Sequence, residues 1–388
     1  MSQFAHLVRG LAGVGLAAAL VGCASLQDAA APGSGPADVV GPRTIIALVP
    51  DRQSVAQMGQ ATQSAGYQEL DVTRLDGLDL TMLSYRMPDG VTGPQAIAAL
   101  EAAVPTSTVG VNHAYRLQQQ AGAAQALEYA DAMMRWNAGG CRARMPIGVI
   151  DTAIDTTSPA LAGTRVITKT FFDGPAAETT HGTDVAAVLA DPDRLQGVTL
   201  YGANVFGEPD AADLVAGADA LVRALDWLAD EDVRLVNLAL AGPYNKLLNL
   251  AVERAAARGL ILVAAVGNEG PTVDPLYPAG FEEVIAVTAV DVEGRIYSNA
   301  VHGPHVDVAA PGVDVIIATS ERPRFVTGTS IATPFVTARL AADPSVATAR
   351  DVSEARARLA ETSAELGPTG RDRMFGYGLA LAEGICGE

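Results

Sequence analysis

Three short stretches of this chain carry groups that could do chemistry together: VIDTAID, ETTHGTDVAAVLA and GTSIATP. Asp151 closes the apolar run PIGVI, His181 stands at the start of an apolar helical pattern, and Ser330 follows Gly328 and Thr329 at the head of another. Each has an ordinary reading on its own. An Asp often ends a strand, a polar residue often opens a helix, and Ser or Thr is a favoured helix N-cap. Together they supply a carboxylate, an imidazole and a hydroxyl, each at an element boundary. A serine hydroxyl is a weak nucleophile until an imidazole takes its proton, and the imidazole needs a carboxylate to fix its tautomer and stabilise its cation. The chemistry implied is acyl transfer. The order Asp, His, Ser is one of three unrelated chain orders in which this constellation occurs.

The elements that must position these groups are legible from periodicity. Beyond Cys141, apolar strands alternate with long helices: IGVID, a helix after His181, LYGANVF, the helix DAADLVAGADALVRALDWLA, RLVNLAL, the helix KLLNLAVERAAARG, and LILVAAVG. Buried strands separated by helices imply an α/β fold with a mostly parallel sheet covered on both faces. Chemistry in such sheets gathers at the carboxyl ends of the strands. Residues 43–115 follow a different order: a strand at RTIIALV, a helix over 53–66, strands over 68–74 and 78–86, a helix at QAIAALEAAV and a last strand at TVGVNHAY. The β-α-β-β-α-β order is that of a small ferredoxin-like α+β sandwich. Residues 116–140 read as a linker or processing region containing a helical stretch, LEYADAMMRWNAGG, stopped by Gly139 and Gly140.

At this point the pattern becomes specific: residues 141–388 resemble the catalytic domain of subtilisin-like (subtilase) serine proteases. VIDTAID is similar to that family's aspartate motif, THGTDVAAVLA to its histidine motif and GTSIATPFVTARLA to its serine motif. VAAVGNEG resembles the segment holding the oxyanion asparagine, which puts that role on Asn268. The resemblance implies that Asp151 orients, His181 acts as general base and then acid, and Ser330 attacks the scissile carbonyl. Residues 43–115 look like the inhibitor-type propeptide of the same family, with self-cleavage expected between Leu117 and Gly140. Subtilases often bind calcium, but no calcium site can be placed in this sequence, and no other metal or cofactor is expected.

Several positions depart from the family pattern. Ala153 replaces a usual glycine, Asp184 and Ala187 replace a histidine and a glycine, and Phe335 stands where histidine is frequent. None of these is a reacting group. The segment usually written Ser-Leu-Gly in the substrate-pairing strand is here Ala239-Leu240-Ala241. The added methyl of Ala241 would narrow the first specificity pocket, so small or medium P1 side chains are expected. His302 and His305 in HGPH are read as loop residues without a third ligand.

Composition bounds the setting. A chain of 388 residues with 49% hydrophobic content can bury a large core, and a net charge of -18 argues against nucleic acid or anionic membrane surfaces as partners. Only Lys169 and Lys246 are lysines, and there is no GxxxxGK[ST], GxSxG, SxxK or HExxH stretch. Residues 1–22 form a short apolar run behind His6 and Arg9, about half the ~20 residues of a membrane span, and read as an export signal. The run ends in Leu20-Val21-Gly22-Cys23, which resembles the lipobox of bacterial lipoproteins and makes Cys23 a candidate lipidation site. The competing reading is an ordinary signal peptide cleaved nearby. Residues 23–42 have the composition of a tether. Ala24 lacks the aspartate associated with inner-membrane retention, so an outer-membrane or cell-surface position on the exported side is expected. Export leaves Cys141 and Cys386 as one even pair, a candidate disulfide. The function expected is an exported serine endopeptidase with a peptide or protein substrate. The alternative is a catalytically silent subtilase fold that binds a peptide or protein through its groove.

Overall fold

A strand whose residues are apolar on both sides needs cover on both faces, and TIIALV is such a strand. The computed structural model describes residues 39–117, 120–121, 129–172, 177–207, 215–319 and 323–386. All fall within the compact unit Gly35–Glu388. The expected signal, Cys23 and nearly all of the tether lie outside the described residues.

The first elements are β1 (Thr44–Val49), α1 (Arg52–Ser64), β2 (Gln68–Leu75), β3 (Leu80–Arg86), α2 (Gly93–Ala103) and β4 (Thr108–Val111). The strands form an antiparallel sheet in the order β2-β3-β1-β4. Asp51 starts α1 by accepting the Ser54 N–H at 2.8 Å. Ile45, Ala47 and Val49 pack with Met58, Ala96 and Leu100 beneath the two helices. Ile46 and Leu48, pointing the other way, join the principal core of the chain. The period of two thus divides one strand between two cores. The second face of this sheet is buried only because the rest of the molecule covers it.

The chain continues through β5 (Ala114–Leu117), β6 (Gln120–Ala121), α3 (Ala130–Met134), β7 (Cys141–Arg142), β8 (Ile147–Asp151), β9 (Arg165–Thr170), α4 (Thr180–Ala190), β10 (Leu195–Gln196) and β11 (Thr199–Asn204). It then forms β12 (Ala216–Gly217), α5 (Ala218–Asp230), β13 (Leu235–Leu238), β14 (Leu240–Ala241), α6 (Lys246–Ala257), β15 (Ile261–Ala265), β16 (Val284–Val290), β17 (Val306–Pro311), β18 (Val315–Ile317) and β19 (Arg324–Thr327). Last come α7 (Thr329–Ala342), α8 (Pro344–Ala347), α9 (Val352–Thr362), β20 (Ser363–Ala364) and β21 (Leu379–Ala380). Nine strands make the large sheet, ordered β20-β21-β17-β16-β15-β13-β8-β11-β9. All neighbours are parallel except β20 against β21. Every residue of β8, β13, β15, β16 and β17 is buried, as expected of a sheet with helices on both faces. Burying one such Val, Ile or Leu side chain is worth about 1.5–3 kcal/mol.

Three elements differ from the sequence reading. The strand expected over TVGVNHAY is broken: β4 stays in the small sheet, while β5 leaves it to pair with β12 and β14. Asn112 marks the break, because its side chain turns to Asp219, donating to Oδ1 at 2.7 Å and accepting from the backbone N–H at 3.1 Å. Of the helix expected from Asp210, residues 210–214 lie outside the described residues; Ala216 and Gly217 form strand β12 instead, and α5 starts at Ala218. Of the helical stretch LEYADAMMRWNAGG, only Ala130–Met134 is described as helix, and Arg135 ends it in the left-handed region at φ 57°. Cys141 and Cys386 are joined Sγ to Sγ with their Cα atoms 5.2 Å apart. Among the described residues no helix is long and apolar enough to cross a membrane.

The small sheet touches the larger body through a titratable group. Asp226 on α5 accepts the Leu78 N–H at 2.9 Å, and burial at that contact pushes its pKa up to about 6. A carboxyl with a raised pKa stabilises the contact fully below its ordinary value near 3.8, and that contribution is lost as pH rises through about 6. Asp226→Asn, whose amide oxygen can still accept the Leu78 N–H, removes this loss. We expect the denaturation midpoint of the uncut chain to fall, relative to the Asn variant, between pH 4 and pH 7. Parallel pH profiles for the two proteins would contradict that.

Candidate active site

The last residue of β8 is Asp151, fully buried at the carboxyl edge of the large sheet. Its neighbour Thr152 receives α4 at close range. A Cβ on Gly182 would lie 2.4 Å from the Thr152 carbonyl oxygen, and the Gly182 N–H donates to Thr152 Oγ1 at 2.8 Å. Only glycine lets the helix start so near the strand end, and that approach brings the preceding residue, His181, over Asp151. His181 Nδ1–H donates to Asp151 Oδ1 at 2.7 Å, and Oδ1 also takes the Thr152 N–H at 2.6 Å. A carboxylate only accepts, so this contact leaves Nε2 as the acceptor, and Ser330 Oγ lies 3.2 Å from it. His181 is 5% exposed, and Asp151 and Ser330 are 0% exposed, so the chain of hydrogen bonds is screened from water.

Ser330 is the second residue of α7; the N-cap is Gly328, so the serine hydroxyl is not the helix cap. All fourteen residues of α7 are buried, which suits a helix lying on β13, β15, β16 and β17. Pro334 has no N–H to give the carbonyl of residue 330. The first turn is held instead by Ile331 N–H and Ala332 N–H to the Gly328 carbonyl at 3.1 and 3.3 Å, and by Thr333 Oγ1 to the Thr329 carbonyl at 2.7 Å. Thr337 Oγ1 donates to Asn237 Oδ1 at 2.9 Å and pins the helix to β13. At its far end, fully buried Arg339 pairs with fully buried Asp343 at 3.1 Å, and burial pushes the Arg339 pKa down to about 10. The Ser330 N–H sits in the first turn, where the positive end of the helix dipole favours a developing anion.

Asn268 lies just beyond β15. Its Oδ1 accepts from the Thr329 N–H at 3.1 Å and from Thr329 Oγ1 at 2.9 Å. Thr329 therefore fixes which end of the amide faces the helix and turns the NH₂ end away from it. The sequence marked both the Thr of GTS and Asn268, but not that the two are hydrogen-bonded to each other. The Leu276 side chain packs against Gly267, where an added Cβ would be 2.5 Å from Leu276 Cδ1. This residue was not identified from the sequence.

The groove is flanked by β12 and β14, and β5 fills it as the middle strand of three. Leu240 faces Leu117 and Ala241 faces Arg116 in antiparallel register, while Ala216 faces Tyr115. Ala239, Leu240 and Ala241 are buried. Tyr115 is wholly buried, donates its hydroxyl to the Pro243 carbonyl at 3.1 Å, and fits because Gly242 has no Cβ, which would lie 2.5 Å from the ring. Beyond Gln118 and Gln119 the chain pairs again as β6, with Ala121 facing Val326 and Gln120 facing Thr327 on β19.

The departures from the family pattern have visible partners. Phe335 packs under Arg194, whose guanidinium carbon is 4.5 Å from the ring centroid. Asp184 receives Thr319 Oγ1 at 2.9 Å and the Arg324 guanidinium. His302 and His305 sit near the charged groups of Arg371, Asp372 and Arg373, and burial lowers both pKa values, that of His305 to about 4. Among the described residues no three His, Cys, Asp or Glu side chains gather as a metal site.

The subtilase family model matches residues 143–378. The minor extracellular protease Epr of Bacillus subtilis (strain 168) is 29% identical over 267 residues, spanning 65% of this chain and 40% of that protein. The thermophilic serine proteinase of Bacillus sp. (strain AK1) is 33% identical over 245 residues, 60% of this chain and 59% of the relative. Subtilisin DY of Bacillus licheniformis is 31% identical over 255 residues, 62% of this chain and 89% of the relative. The chain thus spans about half the length of the first two. Among solved structures, fervidolysin from Fervidobacterium pennivorans, a keratinolytic enzyme related to subtilisin, superposes with a TM-score of 0.74 at 22% identity, covering 90% of this chain and 61% of that one. The matched segment includes the strand end that carries Asp151, the helix that carries His181 and the helix that carries Ser330, and on this sequence and this geometry the chain belongs to the subtilase family.

Proposed function

We propose that this protein is an exported serine endopeptidase acting through an acyl-enzyme on Ser330. The observation that carries the reading is His181 bridging Asp151 and Ser330 at 2.7 and 3.2 Å. As Ser330 Oγ attacks the scissile carbonyl, its proton passes to His181 Nε2, and Asp151 stabilises the imidazolium without taking the proton. The oxyanion is held by the Ser330 N–H and the Asn268 Nδ2–H, a role consistent with the way Thr329 orients that amide. His181 then protonates the leaving amine, and water repeats the sequence on the ester.

Substrate recognition is assigned to Ala239, Leu240 and Ala241, whose backbone takes an extended chain by strand addition, as the pairing of β5 with β14 illustrates. The methyl of Ala241 favours small or medium P1 residues. A peptide library digested by wild type, with Ser330→Ala as control, should give cleavage chiefly after such residues. Strong cleavage after Phe or Tyr would overturn the specificity, and an enzyme that neither cleaves nor takes a fluorophosphonate probe would favour the silent binding fold.

Residues 43–115 act, on this reading, as a ferredoxin-like inhibitory propeptide. Support comes from the strand order of the small sheet and from β5 lying in the groove. Self-cleavage falls between Leu117 and Gly140. Cys23 is the lipid anchor, which leaves the propeptide on the exported side of a membrane, the outer one or the cell surface. Cys141 and Cys386 form the structural disulfide of the catalytic part. Mass spectrometry of the cysteine peptides tests both: acylated Cys23 and a linked Cys141–Cys386 pair are expected, and an unmodified mature N-terminus other than Cys23 would remove the anchor.

A further inference from the structure

The carboxylate of Asp184 has no part in the triad, yet it is wholly buried one turn beyond His181 on α4. It takes the hydroxyl of Thr319 and the guanidinium of Arg324, and Ser158 Oγ holds the Thr319 carbonyl at 3.0 Å. A buried carboxylate deprived of its cation is strongly unfavourable, so this pair fixes the distance between the two elements that carry it. Arg324 opens β19, whose antiparallel partners are β18 on one edge and β6 on the other. The same strand runs through Gly328 directly into Ser330.

The direction of the chain through the groove assigns the two edges. Residues 116 and 117 pair with β14, and residues 120 and 121, further along the chain, pair with β19, the strand that leads through Gly328 to Ser330. An extended substrate running the same way lays the residues that follow its scissile bond along β19. His181 must deliver a proton to the amine on that side.

Resting on the peptidase reading above, we infer that the Asp184–Arg324 pair is a positioning clamp, which ties the leaving-group strand β19 to the helix that carries the general acid His181. Arg324 is the accessible half, with its side chain 34% exposed against none for Asp184. The clamp holds the edge of β19 in register for residues beyond the scissile bond. It does not touch the residues that pair with β14. Lysine keeps the charge but not the forked donor set, so it restores the clamp only in part.

The test compares two substrates with the same sequence before the scissile bond, one ending in a chromogenic anilide and one continuing for three residues. For Arg324→Met we expect kcat/KM on the extended peptide to fall about tenfold, mainly through KM, and the anilide value to stay within about twofold. Arg324→Lys should recover part of that loss. Partition of the acyl-enzyme to an added dipeptide amide, in competition with water, should drop in the same order. Equal losses on both substrates, or an unchanged ratio in a folded variant, would sink the clamp. If Arg324→Met does not fold, Asp184→Asn, which keeps the side-chain shape and one acceptor, gives the same comparison. A wild type inert to both substrates and to a fluorophosphonate overturns the peptidase reading itself, whereas an active wild type with an unmoved ratio overturns the clamp alone.

Discussion

Replacing Ser330 by alanine is expected to lower kcat by about a millionfold while leaving the fold intact, because the acyl-enzyme has no other hydroxyl placed to form it. The residue is wholly buried in the first turn of α7, the helix is capped at Gly328, and the variant removes only the oxygen that faces His181. The melting temperature should therefore stay close to wild type. His181→Ala should cost a similar factor, and the double variant little more than either single one, because a triad acts as a unit. An immunoblot of the two proteins side by side reads the same event in the chain itself. Wild type should yield a shorter product cut between Leu117 and Gly140, and Ser330→Ala only the uncut chain. Products of equal size from both would remove the case for self-cleavage.

Asn268→Ala is expected to lower kcat by about 10²–10³, with KM within about twofold, since the amide stabilises the charge of the transition state more than that of the bound substrate. Alanine also deprives the Thr329 N–H and hydroxyl of their acceptor, so a loss of order at the start of α7 must be separated from a loss of donor. Asn268→Asp makes that separation. It keeps Oδ1 for Thr329, cannot donate when ionised, and sets a negative charge beside the oxyanion. We expect it to be at least as inactive as the alanine variant, with a melting temperature nearer to wild type. Activity recovered in the Asp variant would show that Asn268 serves only to brace Thr329.

The triad and the parallel sheet were legible because their signals are local. A buried strand must be apolar from end to end, so IGVID and LILVAAVG announce themselves, and the residue that ends such a run emerges at the edge where ligands bind. The broken strand at 108–117 was not legible. Its two halves have the same apolar character, and what separates them is Asn112 reaching Asp219, more than a hundred residues away. Strand β12 was missed for a similar reason: Ala216 and Gly217 fit the helical pattern, but Tyr115 and Ala114 recruit them into the groove.

The sequence alone determined which residues react, because nucleophile, base and orienting acid each need a particular side chain and sit at boundaries that short patterns mark. Tertiary structure alone decided how those groups are held. The approach of Gly182 to Thr152, the grip of Thr329 on Asn268, the packing of Leu276 against Gly267 and the pairing of Asp184 with Arg324 join residues that no spacing relates. A hydrogen bond or a close contact depends on distance in space, and only the folded chain sets that distance.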